Sequence, residues 1–209
     1  MAAVQQVREI VYVVDDDPGV RDSLAGLLES AGLEVLAFES ADRYLELQRT
    51  DSAACLIVDL HLPGMSGLDL QDQLAGAQSL PIIFISGRGD IPSTVQAMKR
   101  GAVEFLTKPI DANTLITVVK QAFEQDRTAR AQRAEMFELH RRLEQLTPRE
   151  REVLPLVVAG LLNKQAAAKL GISEVTLQIH RSQIMHKMQA GSLAELVRLA
   201  AKLEIPSDP

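Results

Sequence analysis

Five short apolar runs, at residues 10–14, 35–38, 56–58, 82–85 and 103–106, recur at intervals of roughly 20 residues, and each gives way to a stretch in which apolar side chains return every three or four positions. The runs are rich in Val and Ile and have the length of strands. The stretches at 20–30, 41–49, 68–75, 93–100 and from about Asp111 onward carry the period of a helix, with Leu24, Leu27 and Leu28 on one face of the first. Strands alternating with helices predict an α/β region of five βα units around a parallel sheet. In an open sheet of this kind ligands gather beyond the carboxyl ends of the strands, so chemistry is expected just past each run.

From Asp111 to Leu146 the chain has neither Gly nor Pro. Leu115, Val118, Ala122, Gln125, Ala129, Gln132, Met136, Leu139, Leu143 and Leu146 follow one another there by threes and fours, a heptad seam weakened by two Gln and two Ala. This predicts a long connecting helix that prolongs the last helix of the α/β region and offers a strip for self-association. Residues 147–205 then read as four short helices. Thr147, Pro148 and Glu150 form a capping-box pattern, Ser173 stands three residues before Thr176, and Gly160 and Gly171 mark helix ends. The second and third of these helices, 163–170 and 174 to about 188, are joined by Gly171-Ile172-Ser173, the short turn of a helix-turn-helix. The expected division is residues 1–123, a helical linker at 124–145, and an all-α domain at 146–209.

Composition narrows the classes. A chain of 209 residues that is 46% hydrophobic can bury a core and is not a disordered polymer. Its apolar runs, such as residues 81–85, fall far short of the roughly 18–20 residues needed to span a bilayer, and no charged-then-apolar leader opens it, so a soluble, cytoplasmic protein is expected. The one cysteine, Cys55, has no partner for an internal disulfide and no spaced Cys or His for zinc, and reads as a small buried apolar side chain. The formal charge of -6 hides an asymmetry: residues 126–209 hold 13 bases and 10 acids, the first 125 residues 9 bases and 18 acids. Opposite signs in the two parts suggest two tasks.

The residues past the strands carry the chemistry. The first run ends in Asp15, Asp16 and Asp17, the third in Asp59 and the fourth in Ser86, and the fifth leads to Lys108. Clustered carboxylates repel unless a cation sits among them, and hard oxygen ligands suit Mg²⁺. Asp59 would then be a carboxylate nucleophile toward a phosphoryl group, the metal and the Lys108 ammonium would neutralise the transferred oxygens, and the Ser86 hydroxyl would bond one of them. Asp17, directly before Pro18, is instead a helix cap. His61, in a Leu-His-Leu-Pro turn, has no defined partner for its ring.

Residues 8 to about 123, with the strings VVDDD, LIVDLHLPGMSG, FISGRGD and EFLTKP in order, resemble the receiver domain of response regulators. The resemblance implies a flavodoxin-like doubly wound (βα)5 fold and Asp59 as phosphoacceptor. It also implies Mg²⁺ held by Asp15, Asp16, Asp59 and the backbone carbonyl of His61, with Asp16 a direct ligand, Lys108 beside the phosphoryl group, and Ser86 and Phe105 as the switch pair. A Phe at position 105 carries no hydroxyl, so the switch would act by bulk alone. The segment LTPREREVLPLVVAGLLNKQAAAKLGISEVTLQIHRSQIMHKM, with SLAELVRLA after it, resembles the LuxR-type helix-turn-helix domain of the FixJ/NarL class. That implies a recognition helix near 174–188 on which Gln178 would read adenine, Ile179 would touch a thymine methyl and Ser182 would face base edges. Thr176 would add a DNA contact, and Arg181, Lys164 and Lys187 would hold phosphates. The chain departs from the commoner pattern at Leu177-Gln178 and at Ala166. His180 and His186, six apart, do not share a face for chelation.

The two resemblances together imply a two-component response regulator and transcription factor rather than an enzyme. Its expected partners are a sensor histidine kinase, promoter DNA, RNA polymerase and, once phosphorylated, a second copy of itself, with no membrane. Two other classes stand beside this. A Mg²⁺-dependent phosphohydrolase would use Asp59 in the same way, but His61 occupies the position where haloacid-dehalogenase-like phosphatases carry a second Asp. A constitutive DNA-binding protein would use the receiver for dimerisation alone.

Overall fold

The computed structural model describes residues 8–76, 79–87 and 91–206. It divides into two compact units, Met1–Ala129 and Arg130–Pro209.

In the first unit, strands β1 (Glu9–Val14), β2 (Glu34–Phe38), β3 (Ala53–Asp59), β4 (Ile82–Ser86) and β5 (Glu104–Thr107) form one parallel sheet in the order β2-β1-β3-β4-β5. This is the flavodoxin-like order. Period-2 alternation assigns successive side chains to opposite faces. Tyr12, Val14, Leu56, Val58 and Phe84 lie with Ala41, Tyr44, Leu70 and Ala97 on one side. Val11, Val13, Cys55, Ile57 and Ile85 lie with Leu24, Leu28, Leu115, Val119 and Phe123 on the other. The helices are therefore sorted: α2 (Ala41–Leu45), α3 (Gly67–Gln73) and α4 (Ile91–Lys99) cover the first face, and α1 (Pro18–Ser30) and the start of α5 (Ala112–Glu144) the second. Cys55 is fully buried and burial pushes its thiol up, as a small apolar side chain in the core requires.

Two predicted bounds shift by three residues or more. The second helix ends at Leu45 rather than at 49, because Tyr44 and Leu47 already reach the core and no apolar residue follows before Ala53. β3 begins at Ala53, three residues before the predicted run, because Ala53, Ala54 and Cys55 pair with Glu9, Ile10 and Val11 through the backbone although they are small. α5 runs unbroken over 33 residues, as the absence of Gly and Pro predicts.

The second unit holds α6 (Pro148–Val158), α7 (Asn163–Leu170), α8 (Glu174–Lys187) and α9 (Leu193–Lys202), the four predicted helices. Thr147 closes its capping box with Glu150, Ser173 accepts from the Thr176 N–H, and Gly171 ends α7 at φ +65°. Leu154, Val157, Ala166, Leu177, Ile184, Met188 and Leu196 form its core, joined by Leu146. No helix among the described residues is long and apolar enough to cross a membrane.

Candidate functional site

The sheet order sets the carboxyl ends of β1 and β3 side by side, with β4 and β5 next in line. β1 runs out into Asp15 and Asp16, Asp59 is the last residue of β3, and Lys108 follows β5. Here α1 leaves for one face and α3 for the other, the switch point at which an open sheet offers a crevice.

Asp15, Asp16 and Asp59 each bring a carboxylate oxygen to within 4.8 Å of the others. Lys108 Nζ donates to Asp15 Oδ2 at 2.7 Å and to Asp59 Oδ2 at 2.5 Å. The Asp15 side chain has no exposed surface, and its burial raises its pKa despite the bond from Lys108. At Lys108 burial acts to lower the pKa, but the bonds to Asp15 and Asp59 outweigh it and the ammonium titrates above the ordinary lysine range. The other oxygens are tied to the backbone: Asp15 Oδ1 accepts from the Asp17 N–H and Asp59 Oδ1 from the His61 N–H, each at 2.9 Å. Asp16 is exposed at the mouth of the pocket. Three carboxylates against one ammonium leave two negative charges over, and the donor set is all hard oxygen, which fits a divalent cation of the Mg²⁺ type.

The loop around these acids is built locally. Asp17 caps α1, accepting from the Gly19 N–H at 2.7 Å with Pro18 in the first helical turn. Arg21, which the sequence pattern did not single out, donates from Nη1 to the Asp15 carbonyl at 2.7 Å and the Asp16 carbonyl at 3.0 Å. Its available sign was a cation in a first helical turn, where the helix dipole disfavours one. Gly67 was also missed. A β-carbon there would lie 2.5 Å from the Asp59 carbonyl oxygen and 3.0 Å from Phe84 Cε1, so α3 can begin this close to Asp59 because position 67 has no side chain.

Ser86 is fully buried at the end of β4, and its Oγ lies 3.4 Å from His61 Nδ1. The imidazole for which the sequence offered no partner thus stands beside this hydroxyl, because β3 and β4 are neighbours. Phe105 is half-buried on β5 and pairs across the strands with Phe84, their rings stacked with centroids 6.4 Å apart and planes at 22°. Among the described residues, Asp15, Asp16 and Asp59 are the one group of three or more metal-ligating side chains, and neither His180 nor His186 enters such a group.

In the second unit, Leu177, Ile184 and Met188 turn α8 toward the core while Gln178, Ile179 and Ser182 stand exposed. Lys164 is exposed at the start of α7. Thr176 is half-buried, its hydroxyl 2.8 Å from that of Ser173. Arg181 donates to Asn163 Oδ1 at 3.1 Å. Lys187 reaches inward, its Nζ 2.6 Å from Oε2 of the buried Glu150. The departure at Ala166 is a core position, where the small side chain is buried against its neighbours.

Residues 11–120 match the family model of the response regulator receiver domain, and residues 144–200 that of the bacterial regulatory proteins of the luxR family. Nodulation protein W of Bradyrhizobium diazoefficiens is 48% identical over 202 residues, covering 96% of this chain and 89% of that protein. The transcriptional regulatory protein FixJ of the same bacterium is 40% identical over 199 residues, 95% of this chain and 97% of that one. A low-resolution structure of the response regulator StyR matches with a TM-score of 0.83 at 46% identity, over 93% of this chain and 99% of that one. The receiver match spans the acidic pocket, Ser86 and Lys108, and the luxR match spans the helix-turn-helix, so each unit's geometry falls within its own family model. The chain belongs to the response-regulator family and is a two-component transcriptional regulator made of a receiver and a LuxR-type DNA-binding domain.

Proposed function

We propose that Asp59 is the phosphoacceptor of this regulator, that a cognate sensor histidine kinase supplies the phosphoryl group, and that the phosphorylated chain acts in the cytoplasm as a homodimer on promoter DNA, with RNA polymerase as a further partner. The observation that carries this is the Lys108 ammonium held between Asp15 and Asp59 at 2.7 and 2.5 Å, at the strand ends of a flavodoxin-like sheet. A carboxylate in that setting is a nucleophile with its charge compensation already in place. Asp59 forms a bond to phosphorus while the bond from phosphorus to the donor imidazole nitrogen breaks, that nitrogen keeping the electron pair. Asp15, Asp16, Asp59 and the His61 backbone carbonyl would hold Mg²⁺, which when bound supplies positive charge to the transferred oxygens.

Lys108 then follows the charge from Asp59 to the phosphoryl oxygens. Ser86, leaving His61, donates its hydroxyl to one of them. Phe105, with no hydroxyl to bond, answers by moving into the space left beside β4. The new contacts exist in one state alone, so phosphorylation shifts the population toward it. Ile91, Val95 and Met98 form an exposed apolar stripe on α4, with Ile91 77% exposed, which suits self-association through the fourth and fifth βα units. A dimer brings two α8 helices to successive major grooves about 34 Å apart. There Gln178, Ile179 and Ser182 would face base edges, with Thr176, Lys164 and Arg181 on the backbone.

Replacing Asp59 with Asn keeps the shape and removes the nucleophilic carboxylate. With Mg²⁺ and a small phosphodonor, uptake by Asp59→Asn is expected to vanish and the phosphorylation-dependent gain in DNA affinity with it, measured at one stated salt concentration. Undiminished uptake by this variant would refute the assignment.

A further inference from the structure

Arg21 stands in the first turn of α1, where the aligned backbone N–H groups make the surroundings positive and a cation is disfavoured. Nor does it meet a carboxylate through the bonds it makes. One guanidinium nitrogen donates to two successive main-chain carbonyls, those of Asp15 at 2.7 Å and Asp16 at 3.0 Å. These are the two residues by which β1 runs out into the acidic pocket. The Asp15 side chain is already held, by Lys108 and by the Asp17 N–H, whereas Asp16 projects exposed from the turn. Where the Asp16 carboxylate can go is therefore set by the main chain beneath it.

We infer that Arg21 is a positioning residue of the acidic pocket: by holding the Asp15 and Asp16 carbonyls it fixes the loop so that the Asp16 carboxylate stays within reach of Asp15 and Asp59, the arrangement a divalent cation requires. The inference rests on the proposal that the pocket takes Mg²⁺. Two effects of the side chain oppose each other. Its positive charge repels a cation, but the group is in contact with solvent, whose high dielectric weakens the repulsion. Its hydrogen bonds act directly on the geometry of one of the three carboxylate ligands, and supporting contacts of this kind are worth about 10–100-fold in metal affinity. Geometry wins, and removing the side chain weakens binding although it removes a positive charge.

The test is calorimetric titration of the full-length chain with Mg²⁺ alone. Arg21→Ala is expected to raise the dissociation constant by about tenfold or more. The maximal rate of phosphoryl uptake at saturating Mg²⁺ should stay as in the wild type, with the Mg²⁺ concentration for half-maximal rate displaced by the same factor. Arg21→Lys keeps the charge but ends in a single ammonium of shorter reach in place of the forked guanidinium, and is expected to lose affinity as well. It serves as the variant of record should Arg21→Ala not fold. Equal or tighter Mg²⁺ binding by the substituted chain beside a wild type that binds overturns the inference alone. A wild-type chain that takes no Mg²⁺ overturns the proposed cation site together with the inference.

Discussion

Lys187 sits near the end of a helix expected to lie on DNA, and its charge is turned the other way. Its ammonium bonds Glu150, whose side chain is 5% exposed and also accepts from the Thr147 N–H. Burial acts to raise the Glu150 carboxyl, but Lys187 and Thr147 outweigh it and hold it below the ordinary glutamate range. The pair thus clamps the start of α6 to the end of α8. Removing one partner of a buried pair costs about 3–5 kcal/mol, and because Lys187 is a quarter exposed, Lys187→Met is expected to destabilise the second unit by about 2–3 kcal/mol at pH 7. The sign with pH follows from the lowered native value. Stability contributed by a depressed carboxyl is present above the unfolded value, near 4.5, and is lost as the pH falls through the native one. Urea unfolding of the wild type and Lys187→Met should therefore differ at pH 7 and converge at acid pH. A gap that persists once Glu150 is protonated in both states would show that its source is not this pair. If Lys187 is scaffold, the salt slope of DNA binding should also stay constant, without the loss of about one that a phosphate contact would give.

Most elements were legible because burial on both faces of a parallel sheet writes continuous Val and Ile runs, as in β1 and β4. The acidic pocket was legible for a related reason, since strand ends converge whatever the intervening sequence. What escaped was whatever depends on a partner far along the chain. The start of β3 carries no β-rich signal because its small side chains pair through the backbone. The predicted heptad seam is divided: Leu115, Val118 and Ala122 serve the core of the first unit, Leu143 and Leu146 that of the second, and Gln125 and Gln132 between them are exposed. A spacing of threes and fours cannot tell a self-association strip from two core faces laid end to end. Asp126 escaped as well. It is fully buried on α5, and its Oδ2 accepts from the Ala54 N–H at 3.0 Å, fastening the helix to the start of β3. Asp126→Ala leaves that buried donor without its acceptor and is expected to cost the first unit about 1–3 kcal/mol, with faster amide exchange at Ala54. Phosphoryl uptake at Asp59 should be unaffected, since Asp59 lies at the opposite end of β3 from Ala54. Unchanged exchange at Ala54 would count against the fastening.

The net charge is an average over two opposed parts. Residues 130–209 carry 12 bases and 9 acids and residues 1–129 carry 10 bases and 19 acids, so the acidic excess lies with the pocket and the basic excess with the helix-turn-helix. The hydrophobic cores are divided in the same way. Both faces of the sheet are filled by residues up to Phe123, and the helical core is filled from Leu143 onward. Each unit thus buries its own apolar surface, the condition for unfolding as a cooperative body of its own. Heating the full-length chain in a calorimeter is then expected to give two transitions rather than one. Ligand that binds a single folded unit stabilises that unit, by about 2.7 kcal/mol at a hundred times its dissociation constant. Mg²⁺ at that level should raise the receiver transition by on the order of 10 °C and leave the other in place, with Asp59→Asn reducing the shift. Lys187→Met should lower the second transition and not the first. The two perturbations thus label the transitions independently, and a single peak that both of them move would mean that the units do not unfold as separate bodies.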